Sequence, residues 1–210
     1  YSRGFGDNSV SGTLFHRTRF DKIERLRIPY QTSVTLDSMA NVGNDYSTGA
    51  EVATSFQLKK WWNIDVNGSL FHYKIKNDFK LEGDDEQSLN WQLSLNNNFD
   101  IGKSTRVRLE GYYVGPSVTT QGRVNEFFYF NLSLRQQLLN KKMTATLNFR
   151  DVFSTSEYVS TQRGTDLYSH TTIQPHWPLV MLSLSYTFNN FKSKGGSEKA
   201  DHDLFEGTNR

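Results

Sequence analysis

The stretch Leu182-Ser183-Leu184-Ser185-Tyr186-Thr187-Phe188 alternates apolar and small polar residues without a break. A period of two belongs to a β-strand, whose side chains leave alternately on two faces. One face here is leucine and aromatic, and the other carries hydroxyls. The segment stops on Phe188, and a polar stretch follows it.

The same two-faced pattern recurs upstream and predicts about eight strands. The first runs from Ser9 to Lys22, with room to extend to Arg27, and carries Phe15 on its polar face and His16 on its apolar one. Tyr46 to Leu58 and Asn63 to Ile75 follow. In Asn90 to Ile101, Trp91, Leu93, Leu95 and Phe99 alternate with Gln92, Ser94, Asn96 and Asn98. Thr105 to Val114 sets Val107 and Leu109 against Arg106, Arg108 and Glu110. Glu126 to Leu138 and Met143 to Phe153 repeat the motif, and Leu179 to Phe188 closes the series.

Connections between these segments alternate in length. Lys59-Lys60, Gly102-Lys103-Ser104 and Asn140-Lys141-Lys142 are short, and Gly4 to Asn8 reads as a further turn. Arg27 to Asn44, Asn77 to Leu89, Gly115 to Asn125 and Ser154 to Pro178 are long. Transmembrane barrels have short periplasmic turns and long outer loops, whereas a soluble sandwich has no reason to sort its loops by end. The chain therefore reads as all-β: an antiparallel transmembrane β-barrel in the outer membrane, with Lys60, Lys103 and Lys141 on the periplasmic side.

Composition agrees. Mean hydropathy is −0.63 and hydrophobic content 36%. No stretch approaches the ~20 apolar residues that a membrane helix needs, yet a barrel exposes only alternate residues to lipid. Aromatic content is 14%, which suits interfacial girdles; Trp61, Trp62, Trp91 and Trp177, with Tyr112, Tyr113, Phe127 and Phe128, fall near strand ends. Net charge is +2 with no basic block, so nucleic acid is not an expected partner. Without cysteine there is neither disulfide nor thiolate chemistry.

Alternation assigns candidate faces. Glu51, Asp65, Arg106, Arg108, Glu110, Arg135 and Arg150 fall on the polar side and are expected to face the lumen, as a mutually paired wet interior or as a guide for an anionic solute. Leu93, Leu95, Leu109, Phe130, Leu132, Leu147, Leu184, Tyr186 and Phe188 are expected to face lipid. The acidic run Glu82 to Glu86 lacks the position pattern of a calcium loop and reads as a solvated tip. His16, His72, His170, His176 and His202 show no metal-ligand spacing, though His170 and His176 share the last long connection. Neither a catalytic signature nor a phosphate-cradling loop is present, so neither enzyme activity nor a cofactor is expected.

Several short motifs, in order, resemble a known family: Leu14-Phe15-His16-Arg17 with Asp21-Lys22-Ile23-Glu24, Gly49-Ala50-Glu51, Trp61-Trp62, Gly111-Tyr112-Tyr113-Val114-Gly115-Pro116 with Gln121-Gly122, Leu138 to Thr144, Arg150-Asp151-Val152-Phe153, and Leu184 to Phe188. From about Tyr1 to Phe191 the chain resembles the C-terminal barrel region of TonB-dependent outer-membrane receptors, as in the Bacteroidetes-type outer membrane protein beta-barrel family. The resemblance implies a barrel of more strands than eight, an N-terminal plug and a TonB-contacting segment, all outside this sequence. Tyr1 to Asn8 has neither the charged nor the apolar region of a signal peptide, and the start reads as a strand entering a hairpin. The chain is accordingly expected to be the C-terminal part of a larger barrel, with residues 1–188 as barrel strands and 189–210 as a disordered polar periplasmic tail.

The expected role is that of a nutrient or chelate transporter wall, its partners being outer-membrane lipid, the plug, the remaining strands and, through them, TonB. Two other readings compete. A self-closed eight-stranded structural or adhesive barrel would pair Ser9 to Arg17 with Leu182 to Phe188. A soluble β-sandwich that binds carbohydrate would seal Leu95, Leu132 and Leu184 in a core.

Overall fold

The computed structural model describes residues 1–77, 86–164, 166–175 and 178–188. The expected tail, His176, Trp177, His202 and most of the acidic run lie outside the described residues. The wall is one antiparallel sheet of nine strands: β1 (Ser2–Phe5), β2 (Asn8–Arg19), β5 (Gly43–Lys59), β6 (Trp62–Asn77), β7 (Glu86–Ile101), β8 (Thr105–Val114), β11 (Phe127–Leu138), β12 (Met143–Arg150) and β15 (Leu179–Tyr186), in that order. Each expected strand is present, and β1 adds a ninth by pairing Phe5 with Asn8 across a tight turn.

Residues opposite each other on paired strands share a face, so the register sorts every side chain. One face carries Leu14, Leu70, Leu93, Leu95, Leu109, Phe130, Leu132, Leu147, Leu184 and Tyr186. These rows lie open: Leu184 is 61% exposed, and neither Leu95 nor Leu132 is buried. The core that a sandwich would place there does not form.

Several strand ends differ from expectation: β5 starts at Gly43 and β7 at Glu86, ahead of the expected Tyr46 and Asn90, and three further ends have a visible cause or consequence. The segment after Arg19 does not continue β2. It breaks at Asp21 (φ 51°) and starts a separate hairpin, β3 (Ile23–Gln31) with β4 (Val34–Asn41). β12 stops at Arg150, three residues before the expected Phe153, because the Asp151 carboxylate accepts hydrogen bonds from the Thr155 and Ser156 amides (3.0 and 2.9 Å) and turns the chain. β15 stops at Tyr186, but the Thr187 amide still donates to Lys142 O at 2.8 Å. Phe188 lies beyond the ladder, 90% exposed and edge-on to Tyr186 at 4.9 Å.

All short turns lie at one end of the sheet and all long connections at the other. The connections from β2 to β5, from β8 to β11 and from β12 to β15 carry strands of their own among the described residues. Besides the β3–β4 hairpin, β9 (Ser117–Thr119), β10 (Gly122–Val124), β13 (Tyr158–Gly164) and β14 (Leu167–Ile173) form a four-stranded sheet in the order β14-β13-β10-β9. The buried hydrophobic residues sit at this end: Leu26, Val42, Ile75 and Val118.

Two aromatic bands flank the open apolar face. Trp61, Trp62 and Phe99 cluster at the short-turn end, with ring centroids 5.7–6.3 Å apart. Trp91, Tyr113 and Phe128 stack at the other, with Trp91 and Tyr113 4.2 Å apart. A Cβ on Gly115 would meet Trp91 Nε1 at 2.6 Å, so glycine lets that indole lie flat. Tyr112 and Phe127, expected in the girdle, take the opposite parity and lie on the polar face. From Phe99 to Trp91 the strand rises about 27 Å. Tilted by 35–45°, it spans about 20 Å, close to the apolar band of a membrane barrel. Leu132→Arg should therefore cost about 2–4 kcal/mol of folding free energy in lipid, whereas Ser133→Arg on the other face should be mild. Urea unfolding in vesicles measures both, and equal costs would contradict the two-faced wall.

Candidate functional site

The polar face holds the candidate site. The registers place Glu51, Asp65, Arg106, Arg108, Glu110, Arg135 and Arg150 on it together. Most of these charges have close partners. Arg106 donates through two nitrogens to Asp100 at 2.5 and 3.0 Å. Arg108 Nε donates to Asn98 at 3.0 Å, Asn131 Nδ2 donates to Glu110 at 3.3 Å, and Arg17 lies 3.4 Å from Glu51. Exposed pairs of this kind are worth little individually. Their work is to keep the face wet and its side chains ordered.

On the apolar face of the wall, Asn97 is the buried polar side chain among the described residues. Its Oδ1 accepts the Trp62 indole N–H at 3.1 Å. A polar side chain without water must find such a partner.

A cavity of 690 Å³ on the polar face lies towards the long-connection end. Phe15, Phe71, Tyr73, Arg17 and Asp45 help line it. Phe15 and Phe71 sit on either side of Gly49, with ring centroids 6.0 Å apart. A Cβ on Gly49 would collide with the backbone of Leu70 and Phe71, so this position must be glycine. Tyr112 and Tyr129 form a second aromatic pair on this face at 5.4 Å.

Above the cavity the long connections are clamped to the wall. Lys22 is almost fully buried, and its Nζ lies 2.5 Å from Glu24, 3.1 Å from Asp45 and 2.7 Å from Tyr73 Oη. Tyr73 Oη donates to Asp45 at 3.0 Å. Burial alone would pull the Lys22 ammonium down, but the bonds to Glu24 and Tyr73 outweigh it and hold it well above its ordinary range. The Thr120 hydroxyl donates to Glu24, and Gln121 exchanges two 2.9 Å hydrogen bonds with the Arg27 backbone. The β3–β4 hairpin is thereby joined to the β9–β10 turn across the polar face. Asp45 and Tyr73 belong both to this clamp and to the cavity below it.

A family model for the outer membrane protein beta-barrel family matches residues 1–186. The chain belongs to this family. No curated protein and no solved structure matches it. Family and fold together make it an outer-membrane β-barrel chain, and its polar face and clamped connections are features of that barrel.

The sequence reading did not find the Phe15–Phe71 pair or the Lys22 clamp. Strand pairing brings Phe15 to Phe71, and the clamp spans residues 22 to 120. Among the described residues no group of three His, Cys, Asp or Glu is placed to hold a metal. His170 instead bonds Thr161 at 3.1 Å within the four-stranded sheet.

Two measurements test this end of the barrel. Lys22→Met leaves Glu24 and Asp45 facing each other without their cation, and losing one partner of a buried pair costs about 3–5 kcal/mol. Limited proteolysis should then cut between Gln31 and Val34 under conditions that leave the parent whole. At Asp151, burial pushes the carboxyl up, but bonds from Ser156 and Thr155 overcome this and leave it below the usual carboxylate range. Its stabilisation is present above the ordinary carboxylate pKa and is lost as pH falls through the depressed value. Hydrogen exchange at the Thr155 and Ser156 amides should speed up across that acid window, and Asp151→Asn should remove the pH dependence.

Proposed function

We propose that this chain is a wall section of a TonB-dependent-type transporter barrel, of the Bacteroidetes type, which takes up a nutrient or chelate. The polar face, with Glu51, Asp65, Arg106, Arg108, Glu110, Arg135 and Arg150, lines the lumen. The leucine and aromatic rows meet lipid, and the β3–β4 hairpin and four-stranded outer sheet form the capturing mouth.

The observation that carries this reading is the pair of sheet edges. β1 covers only the start of β2, and β15 occupies the opposite border of the sheet. In hydrocarbon every backbone N–H and C=O needs a partner, so both borders must be covered. Every neighbouring pair in the nine-stranded sheet is antiparallel, so β1 and β15 run in the same direction. Closing β1 on β15 would require a parallel seam, whereas bacterial single-chain barrels hold an even number of antiparallel strands. The antiparallel seam of Ser9 to Arg17 with Leu182 to Phe188 that a self-closed eight-stranded barrel needs is not formed among the described strands, where β2 lies between β1 and β5 and β15 borders β12. This favours additional strands over the self-closed adhesive barrel. Such a wider barrel has room for a plug, through which TonB would act.

In cells carrying the full-length protein, substrate uptake should be abolished equally by deleting the protein or by removing TonB. Uptake that persists without TonB would remove the transporter reading and leave a passive barrel. The chain lacks cysteine, so Ser133→Cys and Leu132→Cys can be read separately. A water-soluble maleimide should label the first in plug-deleted protein, and only a membrane-partitioning reagent should label the second.

A further inference from the structure

Two cavities on the polar face join into one groove. The 690 Å³ cavity near the mouth and a second of 270 Å³ further down the wall share Glu51, Ser69 and Gln92. Along β6 the groove runs from Tyr73 to Asn67, about 20 Å of strand. Aromatic rings stand at both ends. Phe15 and Phe71 form the upper platform, 6.0 Å apart and inclined at 56°. Tyr112 lines the lower end and pairs with Tyr129 at 5.4 Å. Asn67 faces Ser94, and Ser94 faces Tyr112, so the lower platform lies two strands across from Phe71 and about 13 Å along.

Between the platforms the lining is mainly hydroxyl and amide. Ser69 lies between Glu51 and Gln92 in the register. Its Oγ is buried and has no hydrogen-bond partner among the described residues. A buried hydroxyl in that state is costly, and only a hydrogen-bonding occupant relieves it. The charges in the lining are joined in pairs: Arg17 lies 3.4 Å from Glu51, and Arg19 lies 3.6 Å from Asp45. Two cations and two carboxylates leave the lining residues without net charge. The Arg17 guanidinium also lies over the Phe15 ring, 4.5 Å from its centroid. The strands behind the groove, β5, β6 and β7, each have a neighbour on both sides.

We propose that this groove is a binding site for a neutral oligosaccharide, and that the transported solute is a saccharide chain. This rests on the transporter reading above, in which the polar face lines the lumen. A sugar ring carries C–H groups on its flat faces and hydroxyls around its edge. The faces suit Phe15, Phe71 and Tyr112, whose rings offer large apolar surface. Each hydroxyl both donates and accepts, so it can bond Ser69, Gln92 and either member of the Arg17–Glu51 pair. Two platforms separated along the strand suit a chain better than a single ring. Other solutes fit less well. An anionic chelate meets no net positive charge in the lining. A peptide meets no open strand edge, because β5, β6 and β7 are already paired on both sides. An apolar solute would leave Ser69 without a partner and would cover paired charges.

Isothermal titration of the full-length protein in lauryldimethylamine oxide, whose headgroup is not a sugar, tests the site. The probes are maltohexaose, cellohexaose, mannohexaose, galactohexaose and xylohexaose, with hexagalacturonate and hexaalanine as the charged and peptide counterparts. At least one neutral probe should bind, and more tightly than either counterpart. Phe71→Leu keeps an apolar side chain but loses the flat ring, and it should weaken that probe about tenfold. Ser69→Ala should weaken it as well, and Lys103→Gln, in the short turn at the opposite end, should bind as the parent does. Heat-modifiable electrophoretic mobility reports that each variant is folded, and Ser69→Ala decides the matter if Phe71→Leu does not fold. Binding of no neutral probe, unchanged affinity in the folded variants, or a counterpart that binds as tightly would overturn the proposal. The two readings fail separately. Saccharide binding together with uptake that persists without TonB would remove the transporter and keep the site. TonB-dependent uptake of a solute without saccharide binding would do the reverse.

Discussion

The hydrocarbon core of a bilayer contains no water, and a strand that enters it must give every N–H and C=O to a neighbour. The nine-stranded wall does this through antiparallel ladders, with one register shift between Gln57 and Lys59 and with β2 left open beyond the short reach of β1. The requirement also sets what lies at the ends. Chain reversals need polar backbone in non-ladder geometry, as at Leu139, Asn140 and Lys141, which all have positive φ. Such reversals collect where water is available, and the sheet sorts into a short-turn end and an elaborated end. The borders at β1 and β15 are where the same rule remains unmet by this chain's own strands.

Once the ladders fix the register, a strict alternation gives two surfaces with different economies of charge. On the polar face, arginines and carboxylates face each other in pairs that cost little to hold because they stay hydrated. On the apolar face the buried amide of Asn97 is tolerated because Trp62 supplies its donor. At the mouth the balance changes again. Lys22 and Asp45 are withdrawn from water, Glu24 is partly exposed, and hydrogen bonds and ion pairs join all three. This network is the point at which the outer connections are fastened to the wall. It shares Asp45 and Tyr73 with the cavity beneath, so a solute entering that cavity would touch the groups that hold the mouth in place.

Much of this was legible from residues alone. The spacing in Leu179 to Phe188, Thr105 to Val114 and Glu126 to Leu138 fixes strand identity, because side-chain direction in a strand has a period of two whatever the neighbours are. The face of Arg108 or Leu132 follows from the same period, and so does the sorting of short and long connections. The strand stop at Arg150 did not follow. Alternation continues past it, and only the placement of Asp151 against Thr155 and Ser156 shows the chain turning. The side of Tyr112 and Phe127 was misjudged because nearness to a strand end says nothing about parity.

What the sequence determined by itself is the wall: all-β, two-faced, with its loops sorted by end. These are local properties, carried by the i, i+2 relation within each strand. The tertiary structure alone decided which strands lie side by side, that the long connections fold into a hairpin and a second sheet, and that Lys22 reaches Glu24, Asp45 and Tyr73. It also brought Phe15 to Phe71 across Gly49. Those contacts join residues far apart in the chain, and no periodicity within a segment encodes the register that brings them together.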